Sequence, residues 1–342
     1  MRVLVRTDWG PGNGVFHYRV NAPLVEAQYQ GLLTWRYTNN LTAELVAEAD
    51  VVVGHLMNHP RSVAMWEAAG GAGRVLVSEY DDDYLNIRAD NPTFGGSQAD
   101  YEEYLQHNVP AVRHALEISD LVTVSVPYLA DRLREHTDAP VVVLPNTVDE
   151  VLLEIPQRTR RPGEQLQVGW GGSATHTIDW RMAADGVRYG LTKAGARLTV
   201  MGADFRPLIG YRDAIHVPWA DAIDQYYLAL TGFHVILAPL ADDDFNRAKS
   251  PLKALEAAAL GIPVVASDAG PYRDFVRHGE TGFLCRTDDD WMKALRTLAN
   301  DEEQRQEMGR RGRELAAGLT TQKWANEWVA AYRTALTTKT EG

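Results

Sequence analysis

Twice in this chain a short apolar strand runs into a glycine-rich loop and then into a helix, and the two openings lie roughly 165 residues apart. The first is residues 2–6, followed by Gly10-Pro11-Gly12-Asn13-Gly14 and a helix near 21–28; the second is residues 166–170, followed by Gly171-Gly172-Ser173 and a helix over 179–194. After the first opening, further strands are expected at 32–37, 51–53, 75–78, 121–124 and 141–144, between helices at 42–49, 62–69, 99–118 and 127–136. After the second, strands are expected at 197–201, 214–217, 235–238 and 264–266. Strands that alternate with helices demand parallel sheets covered on both faces. At 342 residues the chain also exceeds what one core usually holds. The reading is α/β: an N-terminal Rossmann-like domain over 1–149, a polar linker over 150–165, a second Rossmann-like domain over 166–318, and a terminal helix over 319–342. Trp324, Trp328, Ala331 and Tyr332 fall on one stripe of that helix, which predicts a packed face.

Charge narrows the partners. The net charge is −12, and residues 1–148 hold 10 Arg, no Lys and 19 Asp plus Glu, giving 10 − 19 = −9. Such a half has no basic footprint for duplex nucleic acid and no Lys/Arg-rich amphipathic helix for an anionic membrane. No run approaches 18 apolar residues, so no stable membrane insertion is expected. A single cysteine, Cys285, forbids an internal disulfide and fits a cytoplasmic location.

Against 28 arginines there are only six lysines, and two of them, Lys249 and Lys253, fall in one loop-to-helix stretch. Ser250 suits the N-cap there, Pro251 the first helical position, and Gly261 the position past the end. Two cations four residues apart at the positive end of a helix dipole cost about 0.3–1 kcal/mol each. Either they extend into solvent or pair with Asp242, Asp243 and Asp244, or a diphosphate bound at the helix N-terminus reverses the penalty. The second glycine loop, Gly169 to Asp179, has the strand-glycine-helix order that lets backbone N–H groups approach a phosphate. It also fits the weaker dinucleotide fingerprint, which keeps a nicotinamide-dependent enzyme open, although the expected ribose-binding acid is missing about 20 residues on. His176 in this loop either donates to a phosphate or sugar, or caps the loop. Glu256 either pairs with Lys253 or accepts from ribose hydroxyls, and Trp219 either stacks on a base or packs.

Residues 233–285, with Phe245-Asn246-Arg247, Lys249-Ser250, Lys253, Glu256, Gly261-Ile262-Pro263-Val264-Val265-Ala266-Ser267 and Gly279-Glu280-Thr281-Gly282-Phe283-Leu284, resemble the donor-binding region of the retaining GT-B glycosyltransferases called group 1, or family 4-like. Residues 141–149 resemble that family's interdomain strand and turn, and 119–133 its Asp-x-Val-x-x-x-Ser segment. The resemblance implies two doubly wound Rossmann-like domains facing across a cleft. It implies a nucleoside diphosphate sugar donor (UDP or GDP), transfer to an acceptor hydroxyl with retention, and no required metal or other cofactor. By position, Glu256 matches the ribose-binding second glutamate of a Glu-x7-Glu pair, while the first falls at Ala248. Ser173 and His176 replace the usual Arg/Lys pair, so Lys249 and Lys253 are expected to supply the diphosphate charge. Gly12, Gly14, Gly172, Ser173, His176, Asn246 and Ser250 are the further donor-side candidates. The acceptor, whether small molecule, glycan or protein, is left open. On its side stand His17, Tyr18 and Arg19, unless Tyr18 packs and His17 and Arg19 face water, and Asp82 in the acid run 79–83, which is either a solvated loop or a group that orients an acceptor. The loss of acid at Ala248 also allows a non-catalytic nucleotide-sugar or glycan binding protein.

Overall fold

The structure is a computed structural model that describes residues 1–341. It contains two compact units. One comprises Met1–Thr147, Ala248–Ser250 and the segment from Thr321 on; the other comprises Val148–Arg247 and Pro251–Thr320.

In the first unit six parallel strands, β1 (Arg2–Arg6), β2 (Thr34–Thr38), β3 (Val51–His55), β4 (Val75–Tyr80), β5 (Leu121–Val124) and β6 (Val141–Val143), lie in the order β2-β1-β3-β4-β5-β6. The period-2 alternation divides their side chains between two cores. Val3, Val5, Val51, Val53, Val75, Val77 and Leu121 pack with Phe16, Leu24 and Trp328, Val329 and Tyr332 of the terminal helix Thr321–Glu341. Leu4, Val52, Leu76, Val122 and Val124 pack with Trp66, Leu116 and Leu129 on the other face. Both faces are covered, and that is why β3 reads as an unbroken apolar run.

The second unit repeats the plan with β7 (Gln167–Gly172), β8 (Arg197–Gly202), β9 (Ala214–Val217), β10 (Val235–Ala238), β11 (Val264–Ser267) and β12 (Gly282–Cys285), ordered β12-β11-β10-β7-β8-β9. Trp170, Trp180 and Phe205 meet edge-on or tilted in its core, the centroids of Trp170 and Trp180 lying 5.6 Å apart. In each sheet the first strand has a neighbour on either side reached by opposite crossovers. That leaves a crevice at the carboxyl ends of the strands, where such sheets take ligands.

Local details depart from expectation for physical reasons. Gly171 and Gly172 do not form a turn; the ladder with β8 continues through Gly171↔Met201 and Gly172↔Gly202. The helix expected over 99–118 is split into Gln98–Glu103, a π turn at Tyr104–Asn108 and Val109–Glu117, because Pro110 lacks an N–H and interrupts the ladder. The helix expected to start at Pro251 starts at Leu252, with Pro251 as the cap residue and no side-chain cap. Its end is as expected: Gly261 has φ +68°, its N–H donates to Ala258 O, and Ile262 N–H reaches back to Ala257 O. Strand β12 and the helix Asp288–Asn300, closed by a Thr287/Asp290 capping box, had no place in the sequence reading.

Candidate functional site

In the second unit the chain leaves β7 at Gly172 and turns through Ala174–His176 into the helix Thr177–Ala194. This turn carries His176 to the carboxyl edge of the sheet. A Cβ on Gly172 would sit 2.6 Å from the Trp170 ring and 3.0 Å from His176 Cδ2, so only glycine allows the two rings their approach. His176 Nδ1 lies 2.6 Å from Asp179 Oδ2, and Lys253 Nζ lies 3.0 Å from His176 Nε2, with the ammonium 5.9 Å from the Trp170 ring centre. Asp179 is buried, and its other oxygen accepts from Ala241 N–H (2.8 Å) and Asn246 Nδ2 (3.1 Å). Asn246 also donates to Ala241 O at 3.1 Å, so its amide braces the loop that precedes Lys253. Ser173 is exposed and shares a 2.6 Å hydrogen bond with Thr175.

Glu256, only 3% exposed, accepts from the Tyr226 hydroxyl at 2.9 Å. Burial first, and then the Glu256 charge, push that hydroxyl well above its ordinary pKa and keep it a donor. The Tyr226 ring lies parallel to Trp219, with centroids 5.7 Å apart at 30°, and Trp219 is 49% exposed. Gly202, with φ +85°, makes room for that indole: a Cβ there would fall 2.3 Å from it. An aromatic ladder thus climbs from the Glu256 carboxylate to a ring face open to solvent. Tyr226 and Asp179 were missed from sequence; the His-x-x-Asp spacing at a helix start was the only signal for Asp179.

Residues 248–250 belong to the first unit although unit-two residues flank them on both sides. Ala248 is fully buried in the apolar cluster of Trp66, Val124 and Leu129, a place where a glutamate would carry an uncompensated charge. Lys249 Nζ meets Asp82 Oδ2 at 2.7 Å, and Ser250 Oγ accepts from Asn146 Nδ2 at 2.8 Å. The acid run is no solvated loop. Asp83 is buried and accepts from Leu85 N–H, Asn86 and Arg132. Burial and the adjacent Asp82 raise Asp81 above the ordinary carboxylate range, with Lys249 and Arg19 opposing.

The register aligns His55, Glu79 and Thr123 in one buried row across β3, β4 and β5, and Thr7, just past the end of β1, joins it through His55. Thr7 Oγ1 and His55 Nδ1 are 2.9 Å apart, and Thr123 donates to Glu79 at 2.5 Å. Arg19 closes the row. A π turn at His17–Asn21 carries its guanidinium inward, to Glu79 Oε1 (2.7 Å), Leu144 O (2.5 Å) and Asn146 Oδ1 (3.0 Å), with Trp328 at 4.9 Å. The solvent-facing alternative for Arg19 is therefore excluded. His17 is half-buried, edge-on to Tyr18 at 4.9 Å. Gly12 is exposed, and Gly14 opens a helical turn capped by Asn13, which accepts from Phe16 N–H.

Each unit holds one buried neutral histidine. Burial, then Arg19 and Arg6, push His55 down to about 3, while burial and Arg158 push His234 down to about 4. An unfolded histidine titrates near 6.5, so below that pH the unfolded chain takes up protons that these rings refuse. Stability should fall with falling pH between about 6.5 and 4, by up to about 1.4 kcal/mol per pH unit per ring. Melting temperatures recorded across this range should decline less steeply for His55→Gln than for wild type.

Among the described residues no group of three or more His, Cys, Asp or Glu is arranged to hold a metal ion, and no helix is long and apolar enough to cross a membrane.

Residues 211–315 match the family model of glycosyl transferases group 1. A D-inositol 3-phosphate glycosyltransferase of Nocardia farcinica is 39% identical over 87 residues, which are 25% of this chain and 19% of that protein. The chain spans about a quarter or less of the length of such curated relatives. Among solved structures, sucrose-phosphate synthase of Thermosynechococcus elongatus superposes with a TM-score of 0.70 at 15% identity, over 98% of this chain and 99% of that one. HepE of Anabaena, solved with UDP and glucose and also with UDP-glucose, has a TM-score of 0.66 at 16% identity, over 98% and 100%. These likenesses establish the fold as GT-B, with two Rossmann-like parallel sheets.

Proposed function

We propose that this chain is a glycosyltransferase that moves a sugar from a nucleoside diphosphate sugar to an acceptor hydroxyl, with retention of configuration and without a required metal. The observation that carries the reading is the Asp179–His176–Lys253 constellation, whose Lys253 stands in the first turn of the helix Leu252–Ala259, inside the stretch 211–315 with the group 1 pattern. As the glycosidic C1–O bond breaks, its electron pair stays on the departing diphosphate while the acceptor oxygen bonds to C1 and its proton passes to the departing diphosphate oxygen. Lys253, the helix N-terminus and the amides of Gly172 and Ser173 stabilise the new charge. Glu256, braced by Tyr226, accepts from the ribose, and Trp219 offers its open face to the base. UDP is the favoured nucleotide because HepE of the same fold was solved with it; GDP is the other arm of the test. Asp82 and His17 are the acceptor-side residues of this reading, with Lys249 Nζ 2.7 Å from the Asp82 carboxylate. The buried lone Cys285 fits a cytoplasmic enzyme.

A thermal-shift panel of UDP, GDP, ADP, TDP, their common sugar conjugates and NAD(P) tests the reading. A ligand at 100 times its Kd adds about 2.7 kcal/mol. A shift with UDP and UDP-glucose is the expected result. Binding without hydrolysis or transfer would favour a binding protein, a shift with NAD(P) alone would favour a nicotinamide enzyme, and no shift with any nucleotide overturns the proposal.

A further inference from the structure

We infer that capture of the donor diphosphate at this site is coupled to uptake of one proton by His176, with Asp179 as the positioning residue that makes the imidazolium stable. The inference rests on the donor reading above.

Hydrogen-bond arithmetic on one ring gives the starting state. Lys253 is an ammonium with donors only, so at 3.0 Å His176 Nε2 must present its lone pair. The ring proton therefore sits on Nδ1, 2.6 Å from Asp179 Oδ2, and His176 is neutral. This tautomer is held from both sides. The Asp179 carboxylate is itself fixed by Ala241 N–H and Asn246 Nδ2, and cannot turn away without stranding two buried donors. Asp179 on its own helix and Lys253 from the helix Leu252–Ala259 face the ring; beyond them Glu256 follows Lys253 on that helix, Asp243 accepts from Asn246 N–H, and burial holds the Tyr226 and Tyr272 hydroxyls protonated.

A sugar nucleotide brings two phosphodiester charges. The Lys253 ammonium, on a flexible stem with three rotatable donors, turns to a phosphate oxygen. The lone pair on Nε2 would then face anionic oxygen, a repulsive arrangement. Protonation of Nε2 converts it into a charge-assisted hydrogen bond, and the buried Asp179 carboxylate favours the resulting imidazolium. His176 then supplies a second, pH-dependent cation at the position where the group 1 pattern expects a fixed one. The sign follows: above the titration of the free ring, each bound donor must draw a proton from solution, so affinity falls as pH rises.

Calorimetric titration of the full chain with UDP-glucose, in buffers of different ionisation enthalpy from pH 5.5 to 9, reads this directly; UDP-glucose has no phosphate ionisation in that range. Wild type should take up close to one proton per donor at pH 8, with Kd rising up to about tenfold per pH unit on the alkaline side. His176→Gln should show no uptake and a flat Kd, weaker than wild type at pH 6 and matching it at pH 9. Asp179→Asn, checked for folding by its melting curve, should move the rise in Kd to lower pH. Tight binding by wild type without proton uptake, or a pH slope unchanged in His176→Gln, overturns the inference. Failure of UDP-glucose to bind at any pH instead removes the UDP-donor reading on which it stands.

Discussion

Lys253→Ala should lower kcat by about 10²–10³-fold while changing the donor KM far less, the scale seen when one preorganised donor to a developing oxyanion is removed. The ground-state diphosphate is a diester whose charge is spread over four outer oxygens. When the glycosidic bond breaks, one further charge appears on the bridging oxygen, and a cation placed there gains more in the transition state than in the bound donor. Lys253 meets this demand because it stands in the first turn of Leu252–Ala259, a placement unfavourable by itself. The same fact makes the variant clean. Removing a cation from the positive end of a helix does not weaken the helix, so the melting temperature without donor should hold or rise slightly. Steady-state kinetics on sugar transfer or donor hydrolysis supply the test. Unchanged turnover with unchanged donor binding would remove Lys253 from the chemistry and leave it only a partner of His176.

What could be read from the sequence divides along a physical line. Strands at 121–124, 214–217 and 235–238 match to the residue because each is a short, mainly apolar run that starts after Asp120, Asp213 or His234 and stops at Ser125, Pro218 or Pro239. β12 could not be read in the same way, since Gly282 opens it and Phe283 and Leu284 are only partly buried. The site was legible wherever its members are neighbours in sequence. His176 and Lys253 were each singled out, but their 3.0 Å contact spans 77 residues and exists only because the chain leaves the sheet at Gly172 beside that helix. Lys249 and Ser250 show the opposite limit. Their spacing to Lys253 suggested one anion site, yet the structure commits them to Asp82 and Asn146, because the three-residue excursion led by buried Ala248 has no local signature. Arg19 was read either as an acceptor-side candidate or as facing water. A π turn adds one residue to the helical register, and that insertion turns a surface position into a core one.

Arg19→Ala should destabilise the first unit by about 3–5 kcal/mol, the usual cost of removing one partner from a buried ion pair. Arg19 is 1% exposed and Glu79 0%, so neither charge is screened by solvent. Burial already raises Glu79 above the ordinary carboxylate range, and Arg19 and Thr123 are what oppose it. Without the guanidinium the folded pKa climbs further while the unfolded value stays near 4.3. The folded state then binds more protons than the unfolded one across that widened interval, so stability falls as pH rises through it. The variant should accordingly be worse at pH 8 than at pH 5, the reverse of the acid sensitivity expected from His55 and His234. Amide hydrogen exchange locates the effect: protection should drop in β4 and β5 and stay unchanged in β7 and β8. Replacing both partners, as in Arg19→Met with Glu79→Leu, should recover most of the loss because no uncompensated charge remains. If Arg19→Ala stays within about 0.5 kcal/mol of wild type at pH 8, Glu79 is neutral in the native state and the row from Thr7 to Thr123 is held by neutral hydrogen bonds instead of an ion pair.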